Sequence, residues 1–245
     1  MTDEQKSSSY AVDAEGLHNL FRRCEATFPA AYREKCWYLT AAASLLSLNL
    51  PSTFGSLYTF VLEDTPLPDP ESRRQFVRRL RETLIKCIIL VGIPKVMLAF
   101  HSLAAVESEE DQEGTFTREG WKPDDANRER GEKVLDVIYQ GFQHKAHAAC
   151  GSHKDVEWIS TNISYGLFLA DHQVMDIKES ELVILPAIMC QDLKAPTDWH
   201  LKGCLRVGFT REEIDAVQKV IKDIAKYAGT ELKNVGTIWD IPDDA

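Results

Sequence analysis

Apolar side chains recur at steps of three and four residues in two segments of the chain. In the first segment these residues are Val77, Leu80, Leu84, Cys87 and Val91. In the second segment they are Ile214, Val217, Ile221, Ile224 and Ala228. A glycine follows each series, Gly92 in the first and Gly229 in the second. This spacing predicts two amphipathic α-helices, each ended by a glycine.

The two series also match each other in register. Gly92 and Gly229 are 137 residues apart, and all five apolar positions coincide at that offset. The match indicates either an internal repeat or a chance agreement between two amphipathic helices. We take the repeat as the working prediction.

Two further segments are apolar nearly all round, which is typical of central, buried helices. Arg33 and Glu34 precede the first, at 36–46, and Ser180 and Glu181 precede the second, at 182–189. A helix is also predicted from 133 to 149. Strand patterns are sparse, so the predicted fold class is all-α.

These elements divide the chain into five parts. Residues 1–27 are an N-terminal extension whose first ten residues are polar, and 28–106 form a first, degenerate repeat. Residues 107–132 are acidic and weakly periodic, which indicates an exposed linker. Residues 133–235 form a second repeat that carries the candidate site, and 236–245 form a tail.

Composition excludes several classes of function. The chain of 245 residues has a formal net charge of −10, and no long basic run offers a nucleic-acid surface. The longest apolar run, 87–91, is too short to span a bilayer, and the N-terminal residues lack the apolar core of a signal peptide. The six cysteines form no CxxC pair, which predicts reduced, buried thiols and a cytoplasmic protein. His144, His147 and His153 lack the accompanying ligands of a metal site, so no metal is expected.

The segment 198–214 contains the most informative residues of the chain. His200 lies near the start of a short amphipathic element that Gly208 ends. Thr210 then opens the next helix, with Glu212 and Glu213 in its first turn. An imidazole titrates near neutral pH, so His200 can serve as a general acid and base. The alternative is a hydrogen-bonded core histidine. If His200 is a pocket residue, its replacement is expected to change stability little.

This segment resembles the carboxymuconolactone decarboxylase family of the alkylhydroperoxidase D-like superfamily, whose pattern reads roughly W-H-x-x-G-A-L-x-x-G-x-T-x-E-E-I. The resemblance implies an alkylhydroperoxidase D-like helical bundle, here with two copies in one chain as in fungal-type members. It implies catalytic roles for His200 and for Glu181, which matches the glutamate of the family's R-E-L segment. It also implies that Tyr165, His172 and Trp199 contact the substrate.

The chain departs from the family at two points. Ser180 stands where the family has an arginine suited to a substrate carboxylate, and Lys178 or Lys202 are the alternative cations. The C-x-x-C thiols of the peroxidases are absent, and Cys204 stands at an alanine position. The expected function is a cofactor-independent decarboxylase or isomerase acting on a small organic acid or lactone. Peroxidase activity and a catalytically silent protein are the alternatives. A homo-oligomer is expected, because family members assemble through helices that are apolar all round.

Overall fold

The computed structural model describes residues 13–64 and 67–242, and helices account for 70% of these residues. No strand occurs in these described ranges, so the predicted all-α class is confirmed. The α-helices are α1 (Ala14–Thr27), α2 (Arg33–Ser47), α3 (Phe54–Asp64), α4 (Pro70–Val91), α5 (Ile93–Ala104), α6 (Asp125–Tyr139), α7 (Phe142–Ala148), α8 (Asp155–Trp158), α9 (Ile177–Met189), α10 (Lys194–Arg206) and α11 (Arg211–Tyr227). Short 3-10 helices occupy Pro51–Thr53 and Ile238–Asp240, and a π-helix occupies Ile159–Leu169. The polar segment 1–10 and the last three residues of the tail lie outside the described ranges.

The two helices predicted to be buried all round, α2 and α9, pack against each other in the centre. Pro186 lies inside α9 and has no N–H, so it cannot donate to the carbonyl of Leu182 four residues earlier. The hydroxyl of Thr40 on α2 donates to that carbonyl at 2.8 Å. A second hydroxyl, that of Ser47, donates to the carbonyl of Ala187 at 3.1 Å. These bonds satisfy buried backbone groups and fix the register of the central pair.

Helices α4 and α11 contain the two matching apolar series. Each of them packs against both α2 and α9. Gly92 follows α4 with φ of 91°, and Gly229 follows α11 with φ of 69°, in the left-handed region that favours glycine. Thr210 caps α11 and forms a capping box with Glu213, as predicted. The repeat relationship between the two halves stays a prediction.

The predicted single helix at 133–149 is wrong. Gln140 and Gly141 have φ of 50° and 85°, and this left-handed pair divides the segment into α6 and α7. Glycine tolerates that conformation at no steric cost, so Gly141 was the available signal for a break. Helix α6 begins earlier than predicted, at Asp125, with Asp124 as its N-cap. The proposed linker boundary at 132 therefore falls inside α6.

The sequence did not indicate the π-helix, which packs closely against α6. A Cβ on Gly131 would lie 2.3 Å from the carbonyl oxygen of Thr161, so only glycine permits this approach. Asn127 on α6 donates to the carbonyl of Asn162 at 2.7 Å. The contact holds the wide turns of the π-helix in place and thereby positions Tyr165, which lies within it.

A buried charged cluster ties α4 to the chain that follows the π-helix. Lys86 donates to the carbonyls of Leu169 and Asp171 at 2.9 and 2.8 Å and lies 3.5 Å from the carboxylate of Glu82. Arg118 forms two bonds to Glu82, at 2.8 and 2.7 Å, and lies 3.2 Å from Asp171. Burial lowers the pKa of Lys86 to about 8, and the nearby Glu82 carboxylate opposes part of that shift.

Within the described residues, no helix has both the length and the apolar character needed to cross a bilayer.

Candidate functional site

Helices α9 and α10 pack against each other and bring Glu181 and His200 together. The distance from His200 Nδ1 to Glu181 Oε2 is 2.9 Å, and both side chains are buried, with 2% and 1% of their residue surfaces exposed. Gly203 lies beside the pair. A Cβ there would sit 2.8 Å from a methyl group of Ile138 and 3.7 Å from Glu181 Oε2. The absence of a side chain at Gly203 therefore lets α10 approach both α6 and the carboxylate.

Two tyrosines continue this polar chain away from Glu181. The Tyr139 hydroxyl lies 3.1 Å from His200 Nε2, and the Tyr165 hydroxyl donates to the Tyr139 oxygen at 3.0 Å. A neutral imidazole satisfies every contact when its proton is on Nδ1. Tyr165 donates to Tyr139, Tyr139 donates to Nε2, and the Nδ1–H of His200 donates to Glu181. We call Glu181, His200, Tyr139 and Tyr165 the relay.

Burial sets the protonation of the two tyrosines. It raises the pKa of Tyr139 to about 12, with a partly opposing hydrogen bond from Tyr165. It also raises the pKa of Tyr165 well above its usual value, and the Tyr139 hydroxyl and the Glu181 carboxylate add to the shift. Both hydroxyls therefore keep their protons near neutral pH.

Two further aromatic rings lie near Tyr139. Tyr139 is half-buried, whereas the other three members are buried. Trp199 packs edge-on to Tyr139 with ring centres 6.4 Å apart, and Phe142 lies 5.3 Å from Trp199 with 40% of its surface exposed. We call Trp199 and Phe142 the aromatic rim, which lies beside the most exposed member of the relay, Tyr139.

Neighbouring groups have structural partners. Cys204 is fully buried, with its sulfur 4.0 Å from Glu181 Oε2. Burial raises its pKa well above the usual value, and the Glu181 carboxylate adds to the effect, so Cys204 remains a thiol. Lys178, a candidate cation for substrate binding, donates to the hydroxyl of Tyr32 at 3.0 Å and to the carbonyl of Gly208 at 2.7 Å.

Four residues were predicted to form a site with His200. Three of them lie near it in the structure, and the fourth lies elsewhere. Glu181 and Tyr165 belong to the relay, and Trp199 lies in the aromatic rim. His172 is exposed and lines a separate cleft, and no member of the relay lines that cleft. His172 lies in the connection between the π-helix and α9, outside both helices.

Sequence reasoning missed Tyr139. Leu135 and Tyr139 stand four residues apart on the same face of α6, beside Val134 and Ile138, so the helical spacing was present as a signal. The prediction used only the stripe through Val134, Ile138 and Phe142. The break at Gly141 then placed Phe142 on a different helix.

Among the described residues, no group of three or more His, Cys, Asp or Glu side chains is arranged to hold a metal ion. The cluster of histidines around α7 therefore provides no such set within these ranges.

Two relatives share sequence with the chain, and both are named Peroxisomal protein 2. The protein from Schizosaccharomyces pombe is 25% identical, over 63% of this chain and 72% of its own length. The protein from Saccharomyces cerevisiae is 20% identical, over 81% of this chain and 90% of its own length. No protein-family model matches the chain, and no solved structure matches it.

These comparisons contradict the expected cytoplasmic location, because both relatives are named as peroxisomal proteins. The inference from cysteines failed for a physical reason. Free buried thiols argue against an oxidising compartment, but they do not separate the cytosol from an organelle with a reducing interior.

The expected decarboxylase or isomerase activity, and the peroxidase alternative, are contradicted by the same comparisons. The names of both relatives give a peroxisomal role and neither activity. The resemblance around His200 led to a group of adjacent side chains, but side chains alone do not define a reaction. Ser180, which donates to the carbonyl of Asp176 at 2.8 Å, also leaves that position without a cation for a diacid.

Proposed function

We propose that this chain is a peroxisomal protein that binds a small molecule beside Tyr139 and exchanges a proton with it through His200. The observation that carries the proposal is the unbroken series of contacts from Glu181 through His200 to the two tyrosines, at 2.9, 3.1 and 3.0 Å. The names of the two relatives support the location.

The relay has the order that a proton transfer requires. A bound molecule with an acidic X–H group gives its proton to the Tyr139 oxygen while the Tyr139 proton moves to His200 Nε2. The products are the anion of the small molecule and an imidazolium, and Glu181 stabilises the imidazolium through Nδ1–H. The reverse transfer restores the starting state. Burial strengthens each of these interactions, because few water molecules compete for the donors.

The surroundings of Tyr139 support a small organic molecule as the ligand. Trp199 and Phe142 offer apolar ring surface next to the hydroxyl. Small-molecule sites commonly combine such apolar walls with a few oriented polar groups.

A retention experiment tests the binding. The purified full chain is incubated with the small-molecule fraction of yeast peroxisomes, separated by gel filtration, and the retained compounds are identified by mass spectrometry. We expect at least one compound to be retained by the wild type and lost from Tyr139→Phe. Tyr227→Phe is the matched control, because Tyr227 lies on α11 and its hydroxyl is 3.5 Å from the carbonyl of Asp13. Equal retention by wild type and Tyr139→Phe refutes the proposal.

The proton transfer has its own readout. The ¹⁵N chemical shifts of the His200 ring report which nitrogen carries a proton. We expect Nε2 to gain a proton when the retained compound binds to the wild type, and to stay unprotonated in Tyr139→Phe. Binding without any change at Nε2 would refute the proton transfer and leave only the ligand binding.

The location is tested separately. The full chain is fused to a fluorescent protein at either terminus, expressed in yeast, and compared with a peroxisomal membrane marker. Co-localisation in one of the two fusions is expected. A diffuse signal from both fusions in cells with intact peroxisomes contradicts the assignment.

We also propose that the fold is an alkylhydroperoxidase D-like bundle made of two repeats, and that the chain forms a homo-oligomer. The packing of α4 and α11 against the same central pair supports the repeat, as does the positive-φ glycine after each helix. Superposition of α4 on α11 with their flanking helices, in an experimental structure, is the direct test.

A further inference from the structure

A cleft of about 440 Å³ lies between α6 and the segment that follows the π-helix. Its volume falls in the range of small-molecule sites, roughly 300 to 1,000 Å³. The lining residues are Trp121, Ala126, Glu129, Arg130, Lys133, Val134, Ala170, Asp171, His172 and Gln173. No member of the relay lines it, so its chemistry is independent of the function proposed above.

Arg130 is held in a fixed orientation at this cleft. Its guanidinium stacks over the ring of Trp121, 3.7 Å from the ring centre. Its Nε donates to the carbonyl of Gly166 at 3.2 Å, and one terminal nitrogen donates to Asn127 Oδ1 at 3.0 Å. The stacking and the two hydrogen bonds to neutral acceptors restrict the Arg130 side chain before any ligand binds. The entropic cost of ordering this side chain on binding is therefore small.

The charge of Arg130 has no carboxylate partner within ion-pair distance among the residues that the structure describes. The other charged side chains of the cleft are paired. Lys133 lies 2.9 Å from Glu129, and Asp171 lies 3.2 Å from Arg118. An uncompensated guanidinium is notable in a chain with a formal net charge of −10, where carboxylates outnumber cations. Its fork geometry suits carboxylate and phosphate oxygens.

The opposite wall offers a second polar group and apolar surface. The His172 imidazole is exposed at the edge of the cleft. Partial desolvation lowers the pKa of His172 and the Lys86 ammonium lowers it further, while the carboxylates of Asp171 and Asp176 oppose part of the shift. The net lowering favours the neutral ring, which can donate or accept a hydrogen bond. Val134 and Ala170 provide buried apolar contact between the two walls.

We propose that this cleft binds a small organic oxyanion, a carboxylate or a phosphate monoester, with its charge on Arg130 and its apolar body against Trp121, Val134 and Ala170. His172 contributes a hydrogen bond at the rim. The neutral acceptors of Arg130 leave its remaining N–H groups for the ligand. The paired Lys133 and Glu129 add little net charge.

Isothermal titration calorimetry on the full chain tests this site with four probes: benzoate, phenyl phosphate, acetate and inorganic phosphate. The first pair carries an apolar body and the second pair does not, and the comparison of benzoate with phenyl phosphate separates carboxylate from phosphate. We expect saturable binding of one aromatic probe below about 10 mM, and weaker binding of its small counterpart.

Arg130→Gln should weaken that binding by about tenfold to a hundredfold, the usual effect of losing a charge-assisted bond. Arg128→Gln is the matched control on the same helix, because Arg128 is exposed and pairs with Glu132 at 3.1 Å. Its affinity should stay within about twofold of the wild type.

If Arg130→Gln fails to fold, the indole N–H resonance of Trp121 replaces it as the readout, assigned by its loss in Trp121→Phe. A shift of this resonance on addition of the aromatic probe supports the site. Absence of saturable binding by both aromatic probes overturns the proposal. So does binding that Arg130→Gln leaves unchanged, or binding that leaves the Trp121 resonance in place.

Discussion

The Thr40 hydroxyl donates to the carbonyl of Leu182 at 2.8 Å, across the interface of the two central helices. Pro186 creates the need for this bond, because it removes the backbone donor that would otherwise satisfy that carbonyl. Thr40 is fully buried, so no water replaces it. A proline in a buried helix and a hydroxyl on its neighbour thus form one structural unit.

Thr40→Val should lower the free energy of unfolding by about 1 to 3 kcal/mol, because it leaves the Leu182 carbonyl buried without a donor. Valine has nearly the same shape as threonine, so little of the loss should come from packing. Urea denaturation monitored by circular dichroism measures the change. Thr59→Val is the control, since that hydroxyl bonds within its own helix, to Gly55 at 3.1 Å. Equal effects of the two substitutions would contradict the account.

Gly131→Ala should be among the most destabilising alanine substitutions of the chain. The new methyl group would meet the Thr161 carbonyl at 2.3 Å and the Gly166 backbone at 3.0 Å, and backbone cannot move aside as a flexible side chain does. We expect a loss of about 2 kcal/mol or more in unfolding free energy. Gly114→Ala, which meets nothing within 4 Å, should have little effect. The ¹⁵N shifts of His200 should change in Gly131→Ala, because this substitution displaces the π-helix that carries Tyr165. They should stay unchanged in Gly114→Ala.

The helices that build the central core followed from sequence because their patterns are local. Apolar spacing predicted α4 and α11, and Thr210 and Gly229 signalled the ends of α11 through capping and left-handed geometry. The proximity of Glu181 and His200 was expected from the resemblance, since its motif includes both helices.

The missed features depend on contacts between distant segments. Tyr139 joins the relay only because α6 ends where α10 passes, and no local pattern specifies that crossing. The π-helix depends on the close approach allowed by Gly131, some thirty residues earlier in the chain. Arg118 was assigned to an exposed acidic linker, yet it pairs with two buried carboxylates, Glu82 and Asp171. Such pairings are tertiary, and residue spacing does not encode them directly.

Lys86 should make the unfolding free energy of the protein rise with pH in the alkaline range. Its pKa is about 8 in the folded state against 10.5 ordinarily, so the unfolded chain binds more protons between these values. The contribution of Lys86 to the unfolding free energy therefore rises with pH through this window, by up to about 3 kcal/mol. Well below pH 8 the term is constant, because Lys86 is charged in both states.

Comparison with Lys86→Met isolates this term from the other groups that titrate at alkaline pH. The unfolding free energy of the wild type minus that of Lys86→Met should be flat from about pH 6 to 7.5 and should increase up to about pH 10. Urea denaturation at each pH provides the values. A difference that falls with pH, or stays level throughout, would show that burial does not lower the Lys86 pKa.

Apolar side chains on α5 give the oligomer prediction a location. Ile93, Met97 and Leu98 are 48%, 45% and 56% exposed on this helix. Apolar side chains exposed together on one helix are typical of a surface that another protein chain covers. We expect light scattering at micromolar concentration to return a mass at least twice the chain mass of 27.7 kDa. Met97→Glu should shift the distribution toward the monomer if this face is the interface. A monomeric wild type would refute the prediction.

His200 should prove important for stability as well as for proton transfer, which changes the expectation drawn from a pocket histidine. His200→Ala leaves the Glu181 carboxylate buried at 1% exposure without its imidazole partner. Breaking one side of such a buried pair costs about 3 to 5 kcal/mol of unfolding free energy. The unpaired charge, and not the lost volume, should account for most of this loss.

The double variant His200→Ala with Glu181→Gln separates these two causes. If the buried charge dominates, removing it by Glu181→Gln should restore part of the stability, so the double variant unfolds at higher urea than His200→Ala alone. If cavity formation dominates, the two losses should add. Tyr139→Phe provides the functional counterpart, because it removes the hydroxyl of the half-buried member of the relay and leaves the Glu181–His200 contact in place. We expect Tyr139→Phe to lose ligand retention while its unfolding free energy stays within about 1 kcal/mol of the wild type. That result would show that the Tyr139 hydroxyl serves ligand binding, whereas the Glu181–His200 pair serves both stability and proton transfer.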